Sequence, residues 1–266
     1  MLAGITPACA PLRPAVAALL LTLLAAGCAT RMDAKQEETF TSYVNLGISY
    51  ISQNNLVGAE NALSRAANIS NDDYRLTHAY ALLAQFRGES KLADRLFRET
   101  LEEKPDFTRA RNNYGVFLST LDRDPEAIEQ FTQAANDPAY DRREVAYENL
   151  AEVALKLNQP LQAIGAYQEA RKHNPTRPRY NLRLAHLLAK QEEFEPALQH
   201  FREYLNLLTR TRRSPASEDM QLGVVIADRL GEKELENEYR ARQVVLEELE
   251  RTSGQQDNPQ PAQGNE

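Results

Sequence analysis

The sequence predicts an all-α fold, a right-handed superhelical solenoid of about six helical hairpins. Alanines at 59, 93, 127, 163 and 197 recur at intervals of 34, 34, 36 and 34 residues, a regularity that unrelated helices do not keep. Four residues after each stands a bulky partner: Leu63, Phe97, Phe131, Tyr167 and Phe201. Upstream, a small residue recurs in the companion segment, Gly47 and Gly115 most clearly. A helix without a side chain at its crossing point lets a second helix approach closely.

The elements follow in chain order. Residues 15–26, AVAALLLTLLAA, form an apolar run of twelve behind Arg13. About 20 residues are needed to cross a bilayer, so the run reads as the core of a signal peptide. It ends in Leu24-Ala25-Ala26-Gly27-Cys28, which resembles the lipobox of bacterial lipoproteins. That resemblance implies removal of residues 1–27 and lipidation of Cys28, hence a membrane partner through the lipid anchor. A plain secretory signal with an incidental cysteine is the competing reading. In the same pattern an Asp after the cysteine favours the inner membrane. Here the position is Ala29, which implies passage through the lipoprotein sorting machinery to the outer membrane. Residues 28–39 read as a polar tether.

The repeat domain spans residues 40–250, with repeats near 40–73, 74–107, 108–141, 144–177, 178–211 and 216–250. The first has Tyr43, Leu46, Gly47 and Tyr50, then Ala59 and Leu63; the third has Tyr114 and Gly115, then Ala127 and Phe131. This resembles the tetratricopeptide repeat, whose pattern places an aromatic, Leu-Gly and Tyr before A-x3-F. Gly47, Ala59, Ala93, Gly115, Ala127, Ala163 and Ala197 form its structural signature. The sixth pair is looser, with Gly223, Leu235 and Tyr239. Gln53-Asn54-Asn55, Leu121 to Asp124 and Lys190 to Glu193 read as turns within hairpins, while Pro105 and Pro175 stop helices between them. The segment 209–217, TRTRRSPAS, is a basic connection, and the Gln- and Pro-rich residues 251–266 read as a disordered tail.

Composition narrows the function. Among the 266 residues, 42% are hydrophobic and 26% charged, enough for a packed core. A net charge of −7 argues against a nucleic-acid partner, because phosphate contacts need clustered Lys and Arg. The two cysteines, Cys9 and Cys28, both precede the repeats, and the four histidines stand at 78, 173, 186 and 200 without metal-ligand spacing. No phosphate loop or nucleophile elbow is present. The expectation is therefore a binding protein with no metal, no cofactor and no catalysis.

In a tetratricopeptide stack, positions 2, 5, 9 and 12 of each repeat line the inner groove. They place Val44, Ile48 and Ile51 from the first repeat, Arg75, His78 and Leu82 from the second, and Arg109, Asn112 and Val116 from the third on the candidate protein-binding surface. The apolar stripe of the first repeat would accept an apolar partner segment, unless a neighbouring repeat or the tether covers it. Arg75, Arg109 and Arg179 would grip carboxylates or carbonyls, unless they pair with Glu on adjacent helices.

Beyond the repeats, the lipobox at Cys28, Tyr43-x-x-Leu46-Gly47-x-x-Tyr50, Lys91-Leu92-Ala93-Asp94 and Arg111-Asn112-Asn113-Tyr114-Gly115-x-Phe117-Leu118 resemble the type IV pilus biogenesis and stability lipoproteins, the pilotins of the pilus secretin. The resemblance implies a lipid-anchored protein at the periplasmic face of the outer membrane. It also implies binding of secretin subunits through the early repeats, promoting their localisation and multimerisation. The competing expectation is a general envelope scaffold for outer-membrane barrel assembly or for peptidoglycan enzymes.

Overall fold

A computed structural model describes residues 32–256, with side chains up to Thr252. The signal peptide, Cys28, Ala29 and residues 257–266 lie outside these described residues. Among the described residues twelve helices pair in chain order: α1 (Ala34–Ser52) with α2 (Leu56–Ala67), α3 (Tyr74–Phe86) with α4 (Ser90–Glu103), and α5 (Thr108–Thr120) with α6 (Asp124–Asn136). Then come α7 (Arg143–Lys156) with α8 (Pro160–His173), α9 (Pro178–Lys190) with α10 (Phe194–Arg210), and α11 (Ser217–Leu230) with α12 (Lys233–Gln256). The fold is all-α, built of consecutive hairpins as the 34-residue period predicts. Two compact units divide the chain, one up to Leu96 and one from Phe97.

The signature residues sit where the helices cross. Ala59, Ala93, Ala127, Ala163 and Ala197 are all completely buried. A Cβ on Gly47 would lie 2.5 Å from Leu63 Cδ2, and one on Gly115 would lie 2.7 Å from the Phe131 ring. A Cβ on Gly223 would meet the Phe201 ring of the preceding hairpin first and then Tyr239 of its own at 2.8 Å, so the looser sixth pair keeps the crossing but shares it with α10. The glycines let the backbones close until leucine or an aromatic ring rests against the opposite helix. In the second unit, Phe97 continues this packing, its ring 5.4 Å from that of Tyr114 and 5.5 Å from that of Phe117.

A second periodic device lies in the turns. Asn54, Gly88, Asp122, Asn158, Glu192 and Gly231 each adopt a left-handed conformation between the two helices of a hairpin. The first five keep the same intervals as the alanines. Glycine and asparagine enter this region at little cost, whereas a glutamate such as Glu192 does so against a steric penalty of about 1 kcal/mol.

Both ends of the repeat array extend past the limits expected for them. α1 begins at Ala34, inside the segment read as tether. Asp33 caps it: its carboxylate accepts the Gln36 N–H at 2.8 Å, and Gln36 Oε1 accepts the Asp33 N–H at 3.0 Å. α12 continues to Gln256, past the expected limit at 250. Its Glu250 accepts the Ser217 N–H at 3.0 Å and the Ser217 hydroxyl at 2.5 Å, fastening it to the start of α11. The outer face of α12 is more apolar than a solvated cap requires, with Val244, Val245 and Leu249 all exposed.

The crossing geometry sets a paired expectation. Gly115→Ala places a methyl against the Phe131 ring and should destabilise the protein by about 1–3 kcal/mol. Gly165→Ala, in α8 with nothing within 4 Å of its added Cβ, should stabilise it by about 0.5–1 kcal/mol. Opposite shifts in thermal midpoint relative to the parent are the expected result.

Candidate protein-binding site

In the first unit, α1 turns Phe40, Val44, Gly47 and Ile51 inward. Val44 and Ile51 join Leu63, Leu76 and Leu83 in the core and are 5% and 2% exposed. Of the apolar stripe read as groove lining, only Ile48 stays at the margin, half-buried, together with Leu82. His78 is buried as well. The reason is helical spacing. Position 5 stands three residues before the small crossing residue and position 12 four after it, so both share its buried face. Val44 before Gly47, His78 before Ala81 and Asn112 before Gly115 all follow this rule.

Arg75 lies at the start of α3 in a closed set of partners. Its Nε donates to Asp73 at 2.8 Å, Nη1 to Glu37 at 2.5 Å and Thr41 at 3.2 Å, and Nη2 to Asp73 at 2.6 Å and Glu37 at 3.2 Å. Those contacts use all five N–H donors of a guanidinium. The group also lies over the Phe40 ring, 4.8 Å from its centre. Hydrogen bonds donated to Asp73 and then to Glu37 push the Arg75 pKa further up, and the bond from Arg75 holds the Glu37 carboxyl below the usual range. Of the two readings of Arg75, pairing with neighbouring carboxylates is the one observed. It ties the start of α3 to the start of α1.

In the second unit, the first helices of successive hairpins are joined by polar contacts. Asn112, buried on α5, accepts from Asn149 on α7 at 3.1 Å. Lys156 at the end of α7 donates to the Ser119 carbonyl at 3.1 Å and to Asp124 at 2.9 Å. Glu148, 6% exposed, accepts from the Tyr180 hydroxyl at 3.1 Å and Arg179 Nη1 at 2.9 Å. Glu152 takes the Tyr167 hydroxyl at 2.6 Å and Arg179 Nη2 at 3.0 Å. Burial first, and then the Glu152 hydrogen bond, pushes the Tyr167 phenol well up, keeping it a donor at neutral pH. Arg179, too, is thus paired on its inner side. Arg109 and Val116 remain exposed on α5. The partners Asn149, Lys156 and Tyr180 were not singled out from sequence. Their signal is a polar residue near position 5 or 12 with a complement slightly more than one repeat ahead or slightly less.

Two clefts follow α9, of about 520 and 510 Å³. Arg177, Arg179, Leu182 and Arg213 are among the residues lining one, and Arg183, His186, Lys190 and Glu218 among those lining the other. A third, of about 950 Å³, follows α10 past Asn181 and His200. Among the described residues no cluster of His, Cys, Asp and Glu is arranged to hold a metal ion. The arrangement offers surfaces for another chain, with apolar margins in the first unit and charged clefts in the second.

Comparison with known proteins agrees with this construction. The tetratricopeptide repeat family model matches residues 78–141 and 149–218, half of the chain. A curated relative, the type IV pilus assembly protein PilF of Pseudomonas aeruginosa, is 32% identical over 196 residues, covering 70% of this chain and 78% of PilF. The solved structure of Pseudomonas aeruginosa PilF superposes with a TM-score of 0.66 at 27% identity, over 84% of this chain and 100% of that one. That of PilW, described as a widely conserved type IV pilus biogenesis factor, gives 0.60 at 23% identity, over 79% and 93%, and supports the fold.

Two outcomes test the site. Glu148→Ala strands the buried Tyr180 hydroxyl and frees Arg179, and should cost about 1–3 kcal/mol in chemical denaturation. Stability from the Glu37–Arg75 pair is present above the ordinary glutamate pKa and is lost as pH falls through the lowered folded value. In a carbon-13 titration Glu37 should therefore titrate below the ordinary glutamate value, and Arg75→Leu should raise it.

Proposed function

This chain belongs to the tetratricopeptide repeat family, in its PilF branch, and from that premise we propose that it is an outer-membrane lipoprotein that binds pilus secretin subunits and promotes their localisation and multimerisation during type IV pilus biogenesis. The observation that carries the reading is the 32% identity to PilF, which runs through most of both chains. The work is binding rather than catalysis. Its place is the periplasm and outer membrane, and the anchor we propose is lipid on Cys28. The lipid confines the protein to a plane, and the sorting machinery that carries the lipoprotein would carry its bound secretin segment too. Tethering raises the local concentration of captured subunits, which favours closure of a ring.

For the docking surface we propose the apolar margin of the first unit, at Ile48 and Leu82. Both pack on the core while keeping part of their surface open. Val44 and Ile51 would support that margin from beneath rather than touch the partner. Such an edge suits an apolar partner segment laid along α1 and α3.

Affinity purification from detergent-solubilised membranes should recover the secretin. Recovery of barrel-assembly or peptidoglycan enzymes without secretin would instead select the scaffold reading. Cys28→Ser should release the protein from the membrane fraction and lower secretin multimers. Ile48→Ser with Leu82→Ser should lower multimers while leaving the circular dichroism spectrum unchanged. Full multimer levels in that folded variant would move the docking surface elsewhere.

A further inference from the structure

The second unit carries a basic cleft that this docking surface leaves unused. Arg177, Arg179 and Arg213 line it with Leu182 and Leu208, and Ala216, just before α11, stands at its edge. The one carboxylate lining it, Asp219, is engaged by the Tyr204 hydroxyl and the Ala216 N–H. Glu148 holds Arg177 and Arg179 from beneath: its side chain is 9% exposed, against 41% and 47% for the two arginines. A guanidinium has five N–H donors, so the contacts of Arg179 with Glu148 and Glu152 leave others for a ligand. No carboxylate among the described residues forms an ion pair with Arg213, which lies on the basic connection before α11.

The same character continues along the helix. Arg179, Arg183, His186 and Lys190 recur at three- and four-residue steps, with Leu182 beside Arg183, which is one face of α9. The cleft at its far end is lined by Arg183, His186 and Lys190 with one carboxylate, Glu218, and Arg183 also pairs with Glu152 at 3.3 Å. This stripe stands out in a chain of net charge −7.

We propose that this face of α9 is a second docking surface, for an extended acidic segment of a partner protein in which carboxylates alternate with apolar side chains. The face from Arg177 to Lys190 is roughly 20 Å long at the helical rise, which matches about six residues of extended chain. The planar fork of arginine fits a carboxylate edge-on, and Leu182 and Leu208 take the apolar side chains between. The concave form favours a peptide over a lipid surface, which is flat and would reach only the rim.

The test uses the purified protein, without secretin, and a fluorescein-labelled hexapeptide of alternating aspartate and leucine. Anisotropy should show saturable binding that weakens as sodium chloride is raised. Arg213→Glu and Lys190→Glu, both at exposed positions, should each weaken it at least tenfold with an unchanged circular dichroism spectrum. A peptide with asparagine in place of aspartate should bind at least tenfold more weakly. Equal binding of the two peptides, or indifference to both substitutions, would overturn the proposal. So would binding of phosphatidylglycerol vesicles without binding of the peptide. Because no secretin is present, the result does not depend on the secretin reading.

Discussion

The structure depends on one close approach, repeated: a residue with no side chain, or only a methyl, on the first helix of a hairpin meets a bulky side chain of the second. Gly47 against Leu63 and Gly115 against Phe131 are its clearest instances, and Gly223 meets Phe201 of the preceding hairpin as well as Tyr239 of its own. Interiors pack at crystal-like density, so a single added methyl at such a point cannot be absorbed without displacing a ring. The constraint fixes few positions per repeat and leaves the remainder open. That is why repeats with the same crossing carry quite different outward chemistry, apolar around Ile48 and basic around Arg179.

The second organising feature is polar. Arg75 has every donor satisfied by its neighbours, and Glu148 and Glu152 each hold two or more groups from the next hairpin or their own. Individually such half-exposed pairs contribute little stability. Together they fix the facing first helices of the second unit before any partner arrives, so a ligand meets charges already aimed. A preorganised surface loses less side-chain freedom on binding.

Much of this was legible in the sequence. The alanine intervals give the hairpins, and the turns at Asn54 and Asp122 follow from residue types that tolerate a left-handed backbone. The same conformation at Glu192 has no such signal in residue type, only its place in the period. Val44, Ile51, His78 and Asn112, read as groove lining, are buried in the structure, because positions 5 and 12 share the face of the crossing residue. Reckoning each side chain from Gly47, Ala81 or Gly115, rather than from the repeat start, would have placed them inward. Arg75 and Arg179 were legible as cations, with pairing to Glu on adjacent helices as one of two readings, and the structure was needed to choose, since their partners lie either two residues away or roughly a repeat away.

The closing contact of each hairpin has a kinetic consequence. Gly47 and Leu63, Gly115 and Phe131, and Gly223 and Tyr239 are each separated by only sixteen residues. Loops this short close in well under a microsecond, and chains dominated by such local contacts fold fast. A polypeptide entering a compartment end first can therefore complete one hairpin before the next has arrived. Each finished hairpin then offers a template for its successor, and little apolar surface waits uncovered for the far end of the chain.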